Sequence, residues 1–505
     1  MPKYTSGDVR QVAERLKQAR DRQRAAHFLI GAGCSISANI PGAGDLVKKI
    51  HQDYAEHCRD LKDGTAHSYG ACMALLTINE RRDLIKPYLE NAKINWGHVA
   101  LAQLIKEGFI GRVLTVNFDM VLENACGLLG LQPAVYDFGV APASDAAMIV
   151  SPAIVHLHGQ SYGLVLLNTD EETRQHRAKL KPIVLDTLRN APLVIMGYSG
   201  SADGVFQTLL EDFEGREGLY WMGHDPEPSL HVSTLATKAH ARFLGGVDFD
   251  RVMIELAQSL GCWPPRLFSN PVDHLLAQIE PVVPYPVGGA QSEIDLLGDL
   301  RSKLDGLGSK FRETPSGFEL VHDAFMRGSY EDAVRFYLEL SNSEKAQLHP
   351  EQQETAAWSF MGAGDLLTDQ AMRARGEESA RLFAEAGDKY RHALAIKPDK
   401  HEALNNWGNL LAEQAERASR AEAAQLFAEA GDKHHQALAI KPDYHETLNS
   451  WGVLLAEQAR RASGEEAARV FAEAGDKYRQ ALAVKPDKHE TLHSWGILLT
   501  EQARR

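Results

Sequence analysis

Residues 28–41 read Phe28-Leu29-Ile30-Gly31-Ala32-Gly33-Cys34-Ser35-Ile36-Ser37-Ala38-Asn39-Ile40-Pro41, and this stretch decides the fold. Its first three residues are apolar and read as the end of a buried strand. The chain then runs straight into Gly31-Ala32-Gly33-Cys34-Ser35. Small residues there let the backbone approach a pyrophosphate and present its N–H groups to it. A strand feeding such a turn is how nucleotide-binding α/β folds hold their ligand.

Three later segments have the same form. Thr115-Val116-Asn117-Phe118-Asp119 follows an apolar run, His156-Leu157-His158-Gly159 follows Ile154-Val155, and Gly197-Tyr198-Ser199 follows Val194-Ile195-Met196. In an open α/β sheet the carboxyl ends of the strands converge on one ligand crevice. Candidate strands are Ala26 to Ile30, Arg112 to Val116, Ile154 to Leu157, Leu164 to Leu167, Leu193 to Met196 and Leu219 to Met222. Helical patterns lie between most of them, so residues 1–280 predict a parallel sheet covered on both faces.

Residues 281–291 hold three prolines and two glycines, a linker composition, and we extend the linker to 295. Beyond it, residues 296–505 are a helical repeat. Pro398, Pro442 and Pro486 are spaced 44 residues apart, as are Trp407, Trp451 and Trp495. Phe383, Phe427 and Phe471 keep the same period, and so do Gly387, Gly431 and Gly475. Each unit reads as two helices, with Pro442 ending one and Asp443 and Glu446 forming a capping box for the next. Gly431 in mid-helix implies a close approach of two helices. The tryptophans read as core, and His401, His445 and His489 as helix-start residues rather than a metal ladder. Helix pairs at this period stack into an α-solenoid, and the Trp-Gly step, the alanines and the proline resemble tetratricopeptide repeats.

Composition narrows the partners. A formal net charge of −14 argues against nucleic acid and anionic membrane. The five cysteines form no C-x-x-C pair, which implies free thiols, no metal site and no zinc. The N-terminal segment lacks the apolar core of a signal peptide and no run is long enough to span a membrane, so a cytoplasmic location is expected.

The four segments together resemble the sirtuin family over roughly residues 20–280. The shared pattern is a Gly-Ala-Gly-x-Ser loop ending in Ile-Pro, an Asn-x-Asp, a His-Gly and a Gly-x-Ser. The resemblance implies a Rossmann-like sheet, NAD as substrate, and cleavage of its nicotinamide–ribose bond. On that basis Gly31, Ala32, Gly33, Cys34 and Ser35 hold the pyrophosphate, and Asn117 and His158 are catalytic. Asn117 contacts the nicotinamide ribose and His158 is the general base. Asp119 belongs to the cofactor-binding set by ordering the loop, and Gly197 and Ser199 contact the adenosine side. The alternative for Asn117 is capping the following helix. His156 reads as the core histidine of the His-Leu-His pair, and Cys34 as a packing residue. Tyr198 either stacks on a base or packs.

Two departures matter. Deacylating sirtuins carry two C-x-x-C pairs between the His-Gly and the Gly-x-Ser, whereas residues 160–196 contain no cysteine. Pro41 is followed by Gly-Ala-Gly-Asp-Leu rather than Asp-Phe-Arg. The missing cysteines shift the expected acceptor from acyl-lysine to water, as in the sirtuin-like NAD hydrolases of bacterial antiviral defence. In that plan the repeats gate the enzyme by binding a viral trigger protein or by driving assembly of a homo-oligomer. An NAD-dependent deacylase recruiting substrates through its repeats, and a non-enzymatic nucleotide-binding scaffold, remain the alternatives.

Overall fold

The computed structural model describes residues 5–6, 8–59, 61, 68–141, 148–160, 167, 169–200, 204–212, 217–237, 241–282, 296–311, 317–485 and 489–504. The chain divides into two compact units, Met1–Ser309 and Lys310–Arg505. The expected strand at Leu164 to Leu167, most of the expected linker, and Pro486 lie outside the described residues.

The first unit is built on β1 (Thr5–Ser6), β2 (Ala26–Ile30), β3 (Ile110–Thr115), β4 (Ala134–Asp137), β5 (Ala153–His156), β6 (Leu193–Met196), β7 (Leu219–Met222) and β8 (Ala241–Leu244). Among the described residues these form one sheet in the order β1-β8-β7-β6-β2-β3-β5-β4, with every pair parallel. Without the edge strands β1 and β4, the order β5-β3-β2-β6-β7-β8 is the doubly wound arrangement of dinucleotide-binding sheets. The sequence foresaw β2, β6 and β7 at their observed bounds. It missed β1, β4 and β8, which are two to four residues long.

Helices cover both faces. They are α1 (Val9–Asp21), α2 (Ala43–Asp53), α3 (Tyr69–Ala74), α4 (Ile78–Glu90), α5 (Trp96–Lys106), α6 (Val121–Leu128), α7 (Asp170–Asn190), α8 (Gly204–Asp212), α9 (Leu230–Ala236), α10 (Phe249–Ser259), α11 (Arg266–Ser269), α12 (Pro271–Ile279) and α13 (Leu296–Phe311). Strand side chains alternate between two cores, as the two-residue period of a strand requires. Phe28, Ile30, Val113, Ile154 and Val194 pack with α1, α5, α6 and α10. Leu29, Leu114, Val155, Leu193 and Ile195 pack with α7, α8 and α9. Burial on both faces explains why these strands read as continuous apolar runs.

The strand register places the last residues of seven strands in one row: Asp137, His156, Thr115, Ile30, Met196, Met222 and Leu244. The four chemistry-bearing segments all begin within two residues of that row. The chain reverses its direction of travel at β2, whose neighbours are β3 and β6, so the crevice opens at the topological switch point.

The second unit is all-helical among its described residues: α14 (Phe318–Met326), α15 (Tyr330–Glu339), α16 (Asn342–Ala346), α17 (Pro350–Arg373), α18 (Gly376–Ile396), α19 (His401–Arg417), α20 (Arg420–Ile440), α21 (His445–Arg461), α22 (Gly464–Val484) and α23 (His489–Arg504). The starts of α18, α20 and α22 keep the 44-residue period, as do those of α19, α21 and α23. Each first helix packs on its successor, and successive first helices touch, an arrangement compatible with a solenoid.

Three sequence expectations for the repeats are corrected. The capping box is not made: Tyr444, not Asp443, precedes α21, and no side chain caps it. Gly431 is not a close-approach point, because a methyl group there would meet only Trp451 Nε1 at 3.9 Å. Tight glycines include those of the first two Trp-Gly steps and their repeat equivalent, whereas a methyl on Gly496 of the last step would meet nothing within 4 Å among the described residues. A methyl on Gly408 would lie 2.6 Å from the His434 ring, one on Gly452 2.6 Å from Tyr478, and one on Gly364 3.0 Å from Tyr390. The tryptophans are half-buried rather than core. Lys433 lies over Trp407 at 3.8 Å and Lys477 over Trp451 at 3.6 Å, so each indole face is covered by a cation. His401, His445 and His489 do start their helices.

No helix among the described residues is long and apolar enough to cross a membrane. Among them no group of three His, Cys, Asp or Glu side chains is placed to hold a metal ion.

Candidate active site

A cavity of about 820 Å³ opens at the carboxyl edge of the sheet. Of the sequence-derived site residues, Ala32, Gly33, Ser35, Asn117, Asp119, His158, Gly197 and Ser199 line it. Gly31 and Cys34 lie beneath it. Gly31 starts the short 3₁₀ helix Ala32–Ala38, and Cys34 is fully buried, its thiol pKa pushed up by burial. That environment makes Cys34 a packing residue.

The glycines of the first loop answer to another backbone. A methyl on Gly31 would lie 2.6 Å from the Gly197 carbonyl oxygen, and one on Gly33 2.8 Å from Gly197 Cα. The Gly31 amide donates to Met196 O at 3.0 Å, the Gly33 amide to Gly197 O at 2.9 Å, and the Cys34 amide to Gly31 O at 2.9 Å. The loops after β2 and β6 are thus joined into one floor, and these three amides serve the floor.

Asn117 sits in that floor, buried. Its amide donates to Thr115 Oγ1 at 3.0 Å, and its Nδ2 donates to Gly31 O and Ser35 Oγ, each at 3.1 Å. Ser35 Oγ in turn donates to Asp119 Oδ2 at 2.8 Å. Because the one Ser35 proton goes to Asp119, Ser35 must accept from Asn117, and this fixes which end of the amide is Oδ1. Asn117 Oδ1 is buried without a hydrogen-bond partner among the described residues. Asn117 does not cap α6: Asp119 Oδ1 accepts from the Val121 amide at 3.1 Å instead. Burial raises the Asp119 pKa despite its bonds to Ser35 and Val121.

His158 is also buried, and its Nε2 has no partner among the described residues. Burial, with the His176 charge adding to it, lowers its pKa to about 4, so the ring is neutral at neutral pH. Gly159 follows with φ +99, and Gly139 closes on it, so a methyl on Gly139 would lie 2.9 Å from Gly159 Cα. His156, the last residue of β5, does not line the cavity. Its Nε2 donates to Glu123 Oε1 at 2.6 Å and its Nδ1 to Asn117 O at 3.1 Å.

Tyr198 packs: its ring stacks on Trp221 at 5.9 Å and 27°. Both rings also border the cavity, together with Gly223, Asp225 and Glu227 from the loop after β7. That loop was not singled out from sequence, although its strand was foreseen and the same carboxyl-end rule pointed to it. The opposite wall comes from Leu46 of α2, Tyr69 of α3, and Ile85 and Leu89 of α4. Arg81 of α4 ties this helical module to Glu172 of α7 at 2.8 Å.

Asn117 and His158 both line a cavity at a sheet switch point, and each carries a buried polar atom without a partner among the described residues, which marks a ligand site. Asn117 Oδ1 can accept from a hydroxyl group, and His158 Nε2 can accept a proton.

No curated protein sequence matches the chain. Among solved structures, one determined to explain sirtuin substrate affinity is 14% identical, covering 51% of this chain and 100% of its own, with a TM-score of 0.29. A SIR2 homolog in complex with NAD is 14% identical, covering 51% of this chain and 96% of its own, with a TM-score of 0.31. Residues 111–243, which hold the Asn117, His158 and Gly197 segments, match the family described as the SIR2-like domain. Over residues 111–243 the chain is thus similar to the SIR2-like domain.

Proposed function

We propose that this protein hydrolyses NAD to nicotinamide and ADP-ribose. The observation that carries the reading is that Asn117 and His158 line one cavity and that Asn117 Oδ1 and His158 Nε2 are buried without a partner among the described residues. Cleaving the nicotinamide–ribose bond builds oxocarbenium character on the ribose and releases a neutral base. Such a reaction needs orientation of the ribose and guidance of the nucleophile more than a strong acid. Asn117 Oδ1 would accept from a ribose hydroxyl or the attacking water. His158, whose ring burial keeps neutral, would take the proton, and the negative pyrophosphate would raise its proton affinity toward the working range. Ala32, Gly33 and Ser35 would border the pyrophosphate, and Gly197 and Ser199 the adenosine side.

In this reading the helical repeats gate the enzyme. The cavity-lining residues run from Ala32 to Phe243, which leaves α17 to α23 available to bind a viral trigger or a second copy. Draining NAD on infection would then serve antiviral defence.

The test is to incubate the full chain with NAD over a range of protein concentrations, with and without an acylated peptide, and to measure nicotinamide and ADP-ribose. Peptide-independent release supports hydrolysis. Release only with peptide establishes a deacylase instead, and no release under any condition removes the catalytic reading. Asn117→Ala and His158→Ala should each lower kcat about 10²- to 10⁴-fold, the range for losing a positioned acid–base or orienting group.

A further inference from the structure

The imidazole of His156 bridges two elements of the site while staying out of the cavity. It is fully buried, and both ring nitrogens are engaged by acceptors: Glu123 Oε1 of α6 at 2.6 Å and the main-chain oxygen of Asn117 at 3.1 Å. Two acceptors require two N–H groups, which is the imidazolium form. Its strand register sets it beside Thr115 and Asp137. Thr115 Oγ1 holds the Asn117 amide, so Asn117 is gripped on its N–H by β3 and on its carbonyl by β5.

We infer that His156, held by Glu123, is a positioning residue for Asn117, clamping its main chain so that Oδ1 faces the cavity. The inference rests on the NAD-cleavage reading for its catalytic consequence, and on geometry alone for the clamp. Removing the clamp would let the 116–120 segment shift while the Asn117 side chain kept its bonds to Gly31 and Ser35. An orienting group displaced by about 1 Å loses much of its effect.

The charged groups around His156 are Glu123, Asp137 and Asp119. Burial disfavours the charged ring, but the Glu123 bond and charge, the Asn117 carbonyl and Asp137 outweigh it, and the net direction is upward. The clamp itself needs one N–H, on Nδ1, and a neutral ring also supplies it when Nε2 faces a donor or no acceptor. The test therefore removes or replaces the His156 donor itself.

The experiment compares the full-length wild type, His156→Phe, which has no donor for the Asn117 oxygen, and His156→Gln, which keeps an N–H donor. Expected for His156→Phe is kcat for NAD cleavage about tenfold below wild type with KM within about threefold, and His156→Gln should recover part of that loss. Hydrogen exchange of the 116–121 segment reads the clamp without turnover. It should be faster than wild type in His156→Phe and closer to wild type in His156→Gln. Exchange of 116–121 unchanged in His156→Phe, or the same in both variants, overturns the inference. A wild type that cleaves no NAD overturns the proposed function, and the exchange pattern then still decides whether the clamp exists.

Discussion

Gly33 and Gly197 are pressed together backbone to backbone. The Gly33 amide donates to the Gly197 carbonyl at 2.9 Å, and a methyl group on Gly33 would stand 2.8 Å from Gly197 Cα. Gly197 has φ +59, and a methyl there would lie 2.5 Å from the Cys34 nitrogen. Neither contact can yield by rotating a side chain, since the obstacle is main chain on both sides. Gly33→Ala and Gly197→Ala should therefore each destabilise the first unit by about 3 kcal/mol, the upper part of the overpacking range. Chemical denaturation reads the loss. A variant that binds NAD less well at unchanged stability would show instead that the glycine serves the ligand alone.

Ser35 links Asn117 to Asp119. Ser35→Ala leaves Asp119 Oδ2 without the hydroxyl that donates to it and removes one of the two acceptors of Asn117 Nδ2. Leaving a buried polar group unsatisfied costs about 1–3 kcal/mol. The variant should lose stability in that range and lose kcat for NAD cleavage together. Ser35→Thr, which keeps the hydroxyl, should recover more of both than Ser35→Ala does.

The repeats predict opposite outcomes for two glycines. Gly431→Ala adds a methyl into ordinary van der Waals distance of Trp451 and improves helix propensity, so stability should rise by up to ~1 kcal/mol. Gly452→Ala drives a methyl to 2.6 Å from the buried Tyr478 ring and should destabilise by about 1–3 kcal/mol. Thermal unfolding of the two full-length variants checks the sign. Equal signs would mean that the two positions are not distinguished by ring packing.

His434 makes the stability of the second unit pH-dependent. It occupies the place of Tyr390 and Tyr478, is fully buried, and neither ring nitrogen has a partner among the described residues. Burial lowers its pKa from 6.5 to about 4. Between those values the unfolded chain binds the proton and the folded chain does not. Its contribution is therefore complete above pH 6.5 and is lost as pH falls toward 4. His27, lowered to about 4, and His98, lowered to about 3, both mainly by burial, act in the same direction in the first unit. His434→Tyr should raise the melting temperature at pH 5 more than at pH 7.5. The same gain at both pH values would remove His434 as the source.

The sequence reached the candidate site because the parallel sheet brings the strand ends to one crevice. Phe28 to Ile30 and Val194 to Met196 are buried on both sides, so they stand out as apolar runs, and whatever follows each one lies at the crevice. The 44-residue period was equally plain, since every repeat faces the same neighbours and keeps the same residues. Short, partly exposed β4 left no such signature, and neither did Asp225 and Glu227, whose place at the cavity depends on the β7 register.

Residue order alone settled the fold class, the repeat, and the convergence of Asn117, His158 and Gly197, because hydrophobic periodicity and turn chemistry are local. Tertiary structure decided which atoms remain open to a ligand. The loop at residues 28–41 reads from sequence as a pyrophosphate cradle whose small residues admit the ligand. Its glycines are small because Gly197 packs on them, and the Gly33 amide is engaged by that contact. Asn117 Oδ1 and His158 Nε2 have no partner among the described residues, while contacts between residues more than eighty positions apart, such as Asn117 Nδ2 to Gly31 O, hold the Asn117 side chain. His156 looked like core from its strand. Only the approach of α6 and of the Asn117 segment to its two nitrogens gave it a part in the site.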